Sequence, residues 1–595
     1  MISNPLSYPM KYPFSNTVGS GNGGFFSDAA MRMDFTSAEA AARNPVSMSR
    51  AGASMRYNAQ GLREYTPDNI AGFSENLLGS TWIANRVVVD TASTYIEAAN
   101  SGSHSVQNPI SVVEGQYYTI SCEASCLTND RLLTILLTST QFGVQEFMNI
   151  DTSTGAIIGQ GTSVLDPIVT VIGTNKVKVK YTVPAIGTSA SSSVLFGFSP
   201  LGTTTRNPAY LGNGTSQMMV TKVQVQTGRG ISSYVQTPTL SPVYNPRAYE
   251  SQDYNPATGQ ARGYQWEPSA TNFILQSNNT SLTPWGNLDT VITPNSAIGA
   301  SGAMDFDLAT EGSAGTAYTN QGVTTVIGNQ YAFSLDLKRG NHDWVRIQLS
   351  DILTAFVNVA TGFVGNRSLN GAGTFLYAYS IPLPNGIFRF IFSGLAGATN
   401  TICYIISASG DGNAARVSGG QRYQGNVQLE LSDPTSYIFT GAAQATRVTD
   451  ACTGTTPWYN TSEGTYYVNS EINTERLAEI DTVSMNDGST TNRLVYRLRN
   501  ATNRTRSIGV NGGTVQFDLT QVTTNTDQFY KSVQSYKQDN FNFSRNGAAI
   551  LSDVSGVVPT GVNTITIGAG APIHIKDIAY WNTQKPNDFL QQVTT

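Results

Sequence analysis

The sequence predicts an all-β protein of several sandwich domains, and three observations support this prediction. Charged residues make up only 13% of the 595 residues, against about 25% in ordinary globular proteins. Apolar residues still reach 40% and aromatic residues 10%, so the chain can bury a core and is not of the disordered type. Short runs with alternating apolar residues, separated by turn residues, recur along most of the chain. A single core rarely grows to this length, so we expect several domains.

The charge balance and the absence of long apolar runs exclude two classes of partner. The formal net charge is -5 and the isoelectric point about 5.4, without any basic run, so we expect no nucleic-acid partner. No apolar run is long enough to cross a bilayer, and membrane insertion is not expected. The first residues, MISNPLSYPMKYPFSN, lack the charged-then-apolar layout of a secretory signal.

Residues 1–45 differ from the rest and are interpreted as an irregular N-terminal arm. The arm holds aromatic rings without the period of a helix or a strand: Tyr8, Tyr12, Phe14, Phe25, Phe26 and Phe35. Such rings are costly to leave in water, at about 25 cal/mol per Å² of apolar surface, and the arm is too short to bury them within itself. We favour packing on a partner molecule; the alternative is packing on the body of the same chain. Thr36–Glu39 fits a capping box for a short helix over residues 38–43.

Two stretches of similar pattern follow, at residues 76–240 and 272–445. Both contain a Gly-x-x-Tyr-x-apolar-Ser run, at Gly115–Ser121 and at Gly328–Ser334, and both then show a hairpin pattern around a glycine. The residues expected to coincide are Asn76 with Asn272, Tyr118 with Tyr331, Phe147 with Phe356, and Tyr234 with Tyr437. We predict that these aromatic pairs lie on β-elements. The length and the many short strands suit two modules of a jelly-roll β-sandwich type.

A polar connector, residues 241–271, separates the two modules. It has almost no apolar periodicity, and Asn255-Pro256 and Thr258-Gly259 are turn signals, so neither a regular helix nor a regular strand is expected there. Its single aromatic residues would order it by docking on neighbouring domains. A collar, residues 46–75, precedes the first module, and Gly61 in it would supply a turn with positive φ.

Ordered short motifs run through the connector, namely Pro246-Arg247, Asp253 to Gly259, Arg262-Gly263, Glu267-Pro268 and Thr271-Asn272. This set resembles a connector common in bacteriophage tail-fibre and head-spike proteins, where it introduces a jelly-roll module. The collar resembles a segment of the same proteins through Ser49-Arg50-Ala51, Tyr57 and Gly61-Leu62. The end of module two and the link Ala445–Asp450 resemble that family as well. Module one departs from the pattern, because Gln226 stands in place of a glutamate.

Residues 446–595 form a third predicted β-domain. Alternating runs at Gly464–Val468, Val562–Gly568 and Ile573–Trp581 indicate strands, and the short segment Leu590–Thr594 ends the domain. The order and spacing resemble a concanavalin- or laminin-G-like sandwich. The complete prediction is therefore an irregular arm, tandem jelly-roll sandwiches and a concanavalin-like sandwich.

No motif in the sequence indicates catalysis, a cofactor or a metal site. It has no G-x-S-x-G, H-E-x-x-H, P-loop or dinucleotide fingerprint, and one histidine falls in each β-domain: His104, His342 and His574. The cysteines are expected to be buried, unbridged thiols: Cys122, Cys126, Cys403 and Cys452. Asp305 and Asp307 alternate on a predicted strand, and we interpret them as solvated surface residues. The alternatives are the carboxylate pair of a glycosidase or part of a calcium site, for which one pair offers too few oxygens.

The best candidate for a binding site is the run Asn341, His342, Asp343 and Trp344, between two predicted strands. An aromatic ring beside amides and a carboxylate suits a sugar, because the ring can stack on it and the polar groups can hydrogen-bond to it. The structural alternative, which we favour, is that Trp344 begins the alternation Trp344–Leu349 and caps the core.

The resemblance to phage fibre proteins implies a structural virion protein, on the head or the tail, without enzymatic activity or cofactor. It implies contact with capsid, portal or tail components through the N-terminal arm, assembly as a homotrimer, and binding of host surface polysaccharide. Without an export signal, the protein would assemble in the bacterial cytoplasm and leave by lysis within the particle. The alternatives are a virion-associated polysaccharide depolymerase, although no β-helix repeat of about 20 to 30 residues is visible, and a secreted bacterial adhesin.

Overall fold

The computed structural model describes residues 25–36, 46–49, 52–230, 232–244, 252–313, 317–472, 479–499, 504–522, 529–568 and 570–595. This part of the chain consists almost entirely of β-strands joined by turns. Its two α-helices, α1 (Ser139–Phe142) and α2 (Asn587–Thr594), have four and eight residues, so neither is long enough to span a bilayer. A 3-10 turn lies at Pro384–Gly386.

The strands before the first sandwich are β1 (Met31–Asp34), β2 (Val46–Ser49), β3 (Met55–Tyr57), β4 (Arg63–Tyr65) and β5 (Asp68–Asn69). The first sandwich contains β6 (Ile83–Asn85), β7 (Val87–Val89), β8 (Thr94–Glu97), β9 (Ser101–Gly102), β10 (His104–Val112), β11 (Tyr117–Cys126), β12 (Arg131–Leu137), β13 (Met148–Ile150), β14 (Ile157–Gln160), β15 (Leu165–Gly173), β16 (Lys176–Pro184), β17 (Ser189–Pro200), β18 (Tyr210–Leu211) and β19 (Gln217–Thr227).

The connecting strands are β20 (Val243–Tyr244), β21 (Gln252–Tyr254), β22 (Ala261–Trp266) and β23 (Ala270–Asn272). The second sandwich contains β24 (Gly286–Leu288), β25 (Thr290–Ile298), β26 (Met304–Glu311), β27 (Tyr318–Thr324), β28 (Gln330–Arg339), β29 (Trp344–Leu349), β30 (Leu353–Asn358), β31 (Val364–Leu369), β32 (Thr374–Leu383), β33 (Ile387–Leu395), β34 (Asn400–Ala408) and β35 (Gln421–Leu431). The remaining strands are β36 (Ala445–Arg447), β37 (Ala451–Thr455), β38 (Glu463–Ile472), β39 (Ile480–Asn486), β40 (Arg493–Arg499), β41 (Arg504–Asn511), β42 (Thr514–Val522), β43 (Tyr530–Lys537), β44 (Asn540–Arg545), β45 (Leu551–Asp553), β46 (Thr564–Ile567) and β47 (Ile573–Trp581).

Each of the two modules is a sandwich of two six-stranded antiparallel sheets. In module one the orders are β14–β13–β12–β17–β10–β6 and β15–β16–β11–β19–β8–β7. In module two they are β31–β30–β29–β34–β27–β24 and β32–β33–β28–β35–β26–β25. The strands of each module can be numbered from its own first strand, leaving out β9 and β18 of module one. With this numbering, the strand orders in the two sheets of module one are identical to those in module two. The predicted repeat is therefore confirmed, and the interleaving of early and late strands is that of a jelly roll.

Hydrogen bonds of the aromatic side chains repeat as well. The Tyr118 hydroxyl accepts from the backbone N–H five residues earlier at 2.9 Å, and Tyr331 makes the same contact at 3.0 Å. Tyr234 and Tyr437 each share a hydrogen bond of 2.6 Å with a serine 160 residues earlier. Tyr118 and Tyr331 lie on strands, as predicted. Tyr234 and Tyr437 occupy equivalent positions but, contrary to the prediction, lie in loops.

The predicted alignment of the module starts is wrong. Asn69, not Asn76, corresponds to Asn272, because both side-chain amides donate to two backbone carbonyls at the end of their module, at 2.8 and 2.8 Å and at 3.1 and 2.9 Å. The structural repeat thus begins inside the segment that the sequence assigned to the collar.

The predicted pairing of Phe147 with Phe356 is also wrong. The turns after β13 and β30 are closed by the same bond of 2.8 Å, from the Gly155 and Gly362 N–H groups to the carbonyl four residues earlier. This register places Phe147 at the position of Thr354, two residues from Phe356. A shift by two residues leaves the side-chain alternation unchanged, so the alternation could not reveal the error.

The third sandwich is assembled from three separate regions of the chain. Its seven-stranded sheet has the order β2–β37–β46–β39–β40–β41–β42, and its eight-stranded sheet has the order β21–β22–β47–β38–β43–β44–β45, with β1 also on β47. The connector, for which no regular strand was expected, therefore supplies the hairpin β21–β22. Single aromatics and turns hid these strands, because an edge hairpin needs little apolar alternation of its own.

The collar joins module two through a buried ion pair. Strands β3 and β4 form a hairpin, and Gly61 in its turn has φ 75°, as predicted. Arg63 Nη1 lies 2.5 Å from Asp336 Oδ2, with the two side chains 4% and 0% exposed. Arg389 Nη1 binds the other oxygen of Asp336 at 2.9 Å, so two guanidinium groups share one buried carboxylate.

The prediction of buried, unbridged cysteines is confirmed for all four. Burial raises the pKa of the Cys452 thiol to about 12. Burial also raises the pKa values of Cys122 and Cys403. These thiols stay protonated and act as small apolar side chains of the cores.

Candidate functional site

Asn341 and His342 take part in the packing of a loop. Asn341 Nδ2 donates to the Gly419 carbonyl at 2.9 Å, and Asn341 Oδ1 accepts from the Gln421 N–H at 2.7 Å. His342 Nδ1 lies 3.1 Å from Asn341 Oδ1. Burial lowers the pKa of His342, so the ring is neutral at pH 7. The Asn341 amide thus holds the chain at the start of β35.

Asp343 and Trp344 lie at the surface. Asp343 Oδ1 is 2.5 Å from Arg339 Nε in an ion pair whose side chains are about half exposed, at 44% and 56%. Trp344 begins β29, in which the apolar residues face the core and Trp344 faces outward. The expectation that Trp344 caps the core is therefore wrong. Its ring contacts Phe363 edge to face, with 6.4 Å between ring centroids.

Trp344 belongs to a row of partly exposed side chains on the outer surface of its sheet. Arg346 and Gln348 follow on the same side of β29 at period two, and Tyr404 of β34 lies opposite Gln348. Tyr318 of β27 packs on Tyr404 edge to face, with 5.2 Å between centroids. These five residues are called the Trp344 face. They combine flat rings with guanidinium and amide donors.

Arg346 supplies the positive charge of the Trp344 face. Burial lowers its pKa, while the charge of Glu311 acts in the opposite direction. An arginine nevertheless remains charged at neutral pH. Its side chain makes no hydrogen bond or ion pair within the described part of the chain. Its Nε is buried without a partner, so only the two terminal nitrogens of the guanidinium can donate to a ligand at the surface.

Module one covers the corresponding surface. The register of the repeats places Leu132, Thr134 and Leu136 of β12 at the three β29 positions of the Trp344 face. These residues are 1%, 0% and 3% exposed. The loop after β17 is held there by Asn149, the partner of Thr134 on β13, whose Nδ2 donates to two carbonyls of that loop at 3.1 and 2.9 Å. The same sheet surface is therefore closed in one module and partly open in the other.

Asp305 and Asp307 are buried, and their interpretation as solvated surface residues is wrong. They are 8% and 0% exposed. Asp307 Oδ2 accepts from the N–H and the hydroxyl of Thr280 at 2.6 and 2.9 Å, whereas Asp305 Oδ2 accepts from the Ser301 hydroxyl at 2.5 Å. Burial raises the pKa of each carboxyl to about 6. The two carboxylates thus have separate partners.

Three of the six aromatic residues of the N-terminal arm pack on the third sandwich of the same chain. Phe26 stacks on Trp581 with 5.8 Å between centroids, and Phe25 meets Phe589 of α2 edge to face at 5.6 Å. Phe35 is 0% exposed and joins the main core of that sandwich. For these rings, packing on a partner molecule was the wrong expectation. The other three, Tyr8, Tyr12 and Phe14, and most of the expected capping box lie outside the described residues.

The three histidines lie apart from one another, and each has its own hydrogen-bond partner. His104 Nδ1 is 2.8 Å from the Arg86 carbonyl, and His574 Nε2 is 2.8 Å from Asp253 Oδ2. Among the residues that the structure describes, no group of three or more histidine, cysteine and acidic side chains is placed to hold a metal ion.

The sequence contained a signal for part of the Trp344 face. The alternation from Trp344 to Leu349 places Arg346 and Gln348 on the tryptophan side. No sequence pattern indicated Tyr318 and Tyr404, because these residues join the Trp344 face only through pairing between strands that are far apart in the sequence.

No protein-family model and no curated protein sequence matches the chain. Among solved structures, the chain is similar to the CBM40 module of a Ruminococcus gnavus IT-sialidase bound to α2,3-sialyllactose, at 16% identity over 23% of this chain and 84% of that chain, with a TM-score of 0.20. It is similar to the CBM22-1–CBM22-2 tandem of Paenibacillus barcinonensis Xyn10C, at 9% identity over 61% and 96% of the two chains, with a TM-score of 0.20. The LG1–3 region of the laminin α2 chain follows at 10% identity over 81% and 96%, with a TM-score of 0.17. Likenesses at this level carry no information on function.

Proposed function

We propose that this chain is a non-catalytic adhesion protein of a bacteriophage particle, a head or tail fibre, that binds host-surface glycans. The observation that carries the binding proposal is the Trp344 face: a surface that module one closes with its own loop is partly open in module two and lined with aromatic, guanidinium and amide groups. The resemblance of the connector and collar motifs to phage fibre proteins supports the particle role.

The chemistry of the Trp344 face fits a sugar. The apolar side of a pyranose ring can stack on the Trp344 or Tyr404 ring, and Arg346 and Gln348 can donate to its hydroxyl groups. Such a shallow site binds weakly. Several copies on a trimeric fibre, and several fibres on a particle, would supply avidity.

Glycan binding is tested with purified full-length protein and capsular polysaccharide of a candidate host immobilised on a sensor surface. We expect Trp344→Ala and Arg346→Ala each to weaken binding about tenfold or more, equivalent to ~1.4 kcal/mol. Ile168→Ala, which removes a side chain 54% exposed on module one, is the control and should bind like the wild type. Unchanged binding by Trp344→Ala would remove this face from the proposal, and no binding by the wild type to any host polysaccharide would remove glycan adhesion.

The absence of catalysis is tested on the same polysaccharide. Incubation with the purified protein should release no oligosaccharide detectable by size-exclusion chromatography. Release of fragments at a rate proportional to protein concentration would favour the depolymerase alternative.

Attachment to the particle is tested by truncation. A variant without residues 1–24 keeps Phe25, Phe26, Phe35 and β1, which belong to the third sandwich, so it should fold. We expect this variant to be lost from virions in fractionation, while a variant with Trp344→Ala is retained. If the truncated protein co-sediments with particles at the normal copy number, the anchor lies elsewhere. If immunogold labelling of intact particles finds no wild-type protein, the virion role itself is wrong.

A further inference from the structure

Arg346 carries the one formal charge among the five residues of the Trp344 face. The other four are aromatic or amide side chains: Trp344, Gln348, Tyr318 and Tyr404. The guanidinium has no hydrogen bond or ion pair within the described part of the chain, and its two terminal nitrogens are not buried as its Nε is. The face therefore presents an unpaired positive charge to whatever binds there.

Glu311 is the charged group that acts on Arg346 from below, and other arginines already hold it. Arg422 Nη1 lies 2.7 Å from Glu311 Oε1, with both side chains 0% exposed. Arg416 Nε lies 4.0 Å from Glu311 Oε2, and Arg416 Nη2 pairs with Asp289 Oδ2 at 2.8 Å. In this cluster three guanidinium groups meet two carboxylates, which leaves one positive charge in excess.

Acidic side chains in the loops around this surface have partners of their own. Asp343 Oδ1 lies 2.5 Å from Arg339 Nε, and Asp411 Oδ1 accepts from the Asn366 N–H at the edge strand β31 at 2.5 Å. Among the described residues, none of these carboxylates forms an ion pair with Arg346. The excess charge is thus left for a ligand to balance.

A partly buried guanidinium without a partner favours an anionic ligand. Burial lowers the pKa of Arg346, and the opposing effect of Glu311 does not restore it, because the charged form has lost hydration without gaining a direct partner. A ligand carboxylate would supply that partner, since Nη1 and Nη2 can donate to its two oxygens in parallel. Such charge-assisted bonds are about twice as strong as bonds between neutral groups.

The spacing of the face suits a sugar that carries its carboxylate on the ring. Trp344, Arg346 and Gln348 alternate on β29, so neighbouring side chains of this row lie about 7 Å apart. A hexuronic acid bears its carboxylate on a ring carbon, so one sugar residue can stack on Trp344 and reach Arg346 with its carboxylate. Tyr404, opposite Gln348, can hold the next ring of a glycan chain.

Module one does not carry this charge on the corresponding surface. The position of Arg346 corresponds there to Thr134, which is 0% exposed and donates to Asn149 Oδ1 at 2.9 Å. The positive charge therefore belongs to the open surface of module two and not to the fold that the two modules share.

We propose that the Trp344 face selects acidic glycans and binds a hexuronic acid or another carboxylate-bearing sugar through paired hydrogen bonds from Arg346 to the ligand carboxylate. This inference rests on the proposed glycan binding at the same face and names the class of sugar. Trp344 and Tyr404 contact the rings of neutral and acidic sugars alike, whereas Arg346 determines the preference for the acidic ones.

The experiment compares capsular polysaccharide of a candidate host with the same polymer after its carboxylates have been reduced to primary alcohols. Both forms are immobilised, and the full-length protein is passed over them. We expect the wild type to bind the reduced form about tenfold more weakly. Raising the salt concentration from about 0.05 to 0.5 M should weaken binding to the native form more than binding to the reduced form.

Variants at Arg346 separate the charge from the hydrogen bonds. Arg346→Gln keeps an amide donor but removes the charge, so it should bind both forms equally, at the level of the wild type on the reduced form. Arg346→Lys keeps the charge but loses the paired donors, so it should retain part of the preference. Trp344→Ala should weaken binding to both forms by similar factors.

Arg367→Gln is the matched control, because it removes an exposed arginine of the same module from another surface. Arg367 lies opposite the core-facing Ala355 in the pairing of β30 with β31 and over the Phe375 ring, 5.5 Å from its centroid. This variant should show the affinities and the preference of the wild type, since the overall charge of the module is not what selects the ligand.

The outcomes separate this inference from the proposed function. If a host polysaccharide binds through Trp344 but has no carboxylate, or binds equally well after reduction, glycan binding stands and the acidic preference is wrong. An equal loss on reduction in the wild type and in Arg346→Gln would place the carboxylate contact elsewhere and also overturn it. If the wild type binds no host polysaccharide in either form, the proposed function and this inference fail together.

Discussion

At the scale of single residues, Asp253 shows what the connector motif does. Its Oδ1 accepts from the backbone N–H of Tyr57 in the collar at 2.7 Å, and its Oδ2 lies 2.8 Å from His574 Nε2 in the third sandwich. The carboxylate is nearly fully buried, as is the imidazole. One side chain therefore fastens three regions that are far apart in the sequence.

We expect Asp253→Ala to destabilise the protein by roughly 2 kcal/mol or more, because it removes the acceptor of two buried donors. Asp253→Asn should cost less, since its Oδ1 can still accept from Tyr57. Glu463→Ala, which breaks an exposed ion pair with Lys537, should stay within about 0.5 kcal/mol of the wild type. Denaturant unfolding followed by tryptophan fluorescence measures all three, and equal loss for Asp253→Ala and Glu463→Ala would contradict this account.

At the scale of elements, the hairpin β21–β22 depends on close backbone packing against β47. Gly263 in β22 has φ 82°, and a Cβ there would come 2.2 Å from the Ile575 carbonyl oxygen. Strands Tyr264–Trp266 and Ile573–Ile575 pair antiparallel directly beside it. Only glycine both adopts this backbone conformation and leaves room for the neighbouring strand.

We expect Gly263→Ala to detach the connector from the sheet, seen as faster hydrogen exchange in residues 252–266 and in the adjoining end of β47. Gly561→Ala is the matched control, because Gly561 lies in the same sandwich with φ 73° but has no atom within 4 Å of an added Cβ. The control carries the φ strain alone, about 1 kcal/mol, and should leave connector exchange unchanged. Equal protection of the connector in both variants would show that the close approach is not essential.

At the scale of the whole molecule, buried carboxyl groups with raised pKa values give the stability a pH dependence. Burial raises the pKa to about 7 for Asp68 and Glu430 and to about 6 for Asp305, Asp307 and Asp577. In the unfolded chain these groups titrate near pH 4, so between pH 4 and 7 the folded state binds more protons than the unfolded state. Stability therefore falls as the pH rises through this window.

We expect the melting temperature to rise as the pH is lowered from about 8 to 5. Carboxylates with lowered pKa values, such as Asp336, remain ionised throughout this range and do not reverse the trend. Burial lowers the pKa of His342, so below pH ~6.5 the unfolded chain takes up a proton that this folded ring does not. This single group acts against the trend. Scanning calorimetry measures the melting temperature at each pH. Glu430→Gln should reduce the change of the melting temperature with pH, while its side-chain oxygen can still accept a hydrogen bond from Thr435. A melting temperature that falls steadily from pH 8 to 5 would contradict the prediction.

The all-β class, the repeat and the burial of the cysteines could be predicted from the amino-acid sequence alone. Alternation and turn residues act locally, and the recurring Tyr118 and Tyr331 sit in the same hydrogen bond, so local patterns sufficed to align the centres of the modules. The same patterns misplaced Phe147 by two residues, since alternation is unchanged by such a shift.

Which sheet the connector and the arm join, and which surface of a module is open, followed from the tertiary packing alone. These outcomes depend on pairing and packing between residues hundreds of positions apart, such as Asp253 with His574 and Phe26 with Trp581. A period of two tells which side of a strand is buried, but not what lies against the other side. The Trp344 face is open and its counterpart on β12 is closed because one loop folds back over its sheet, and no alternation within the strand records that difference.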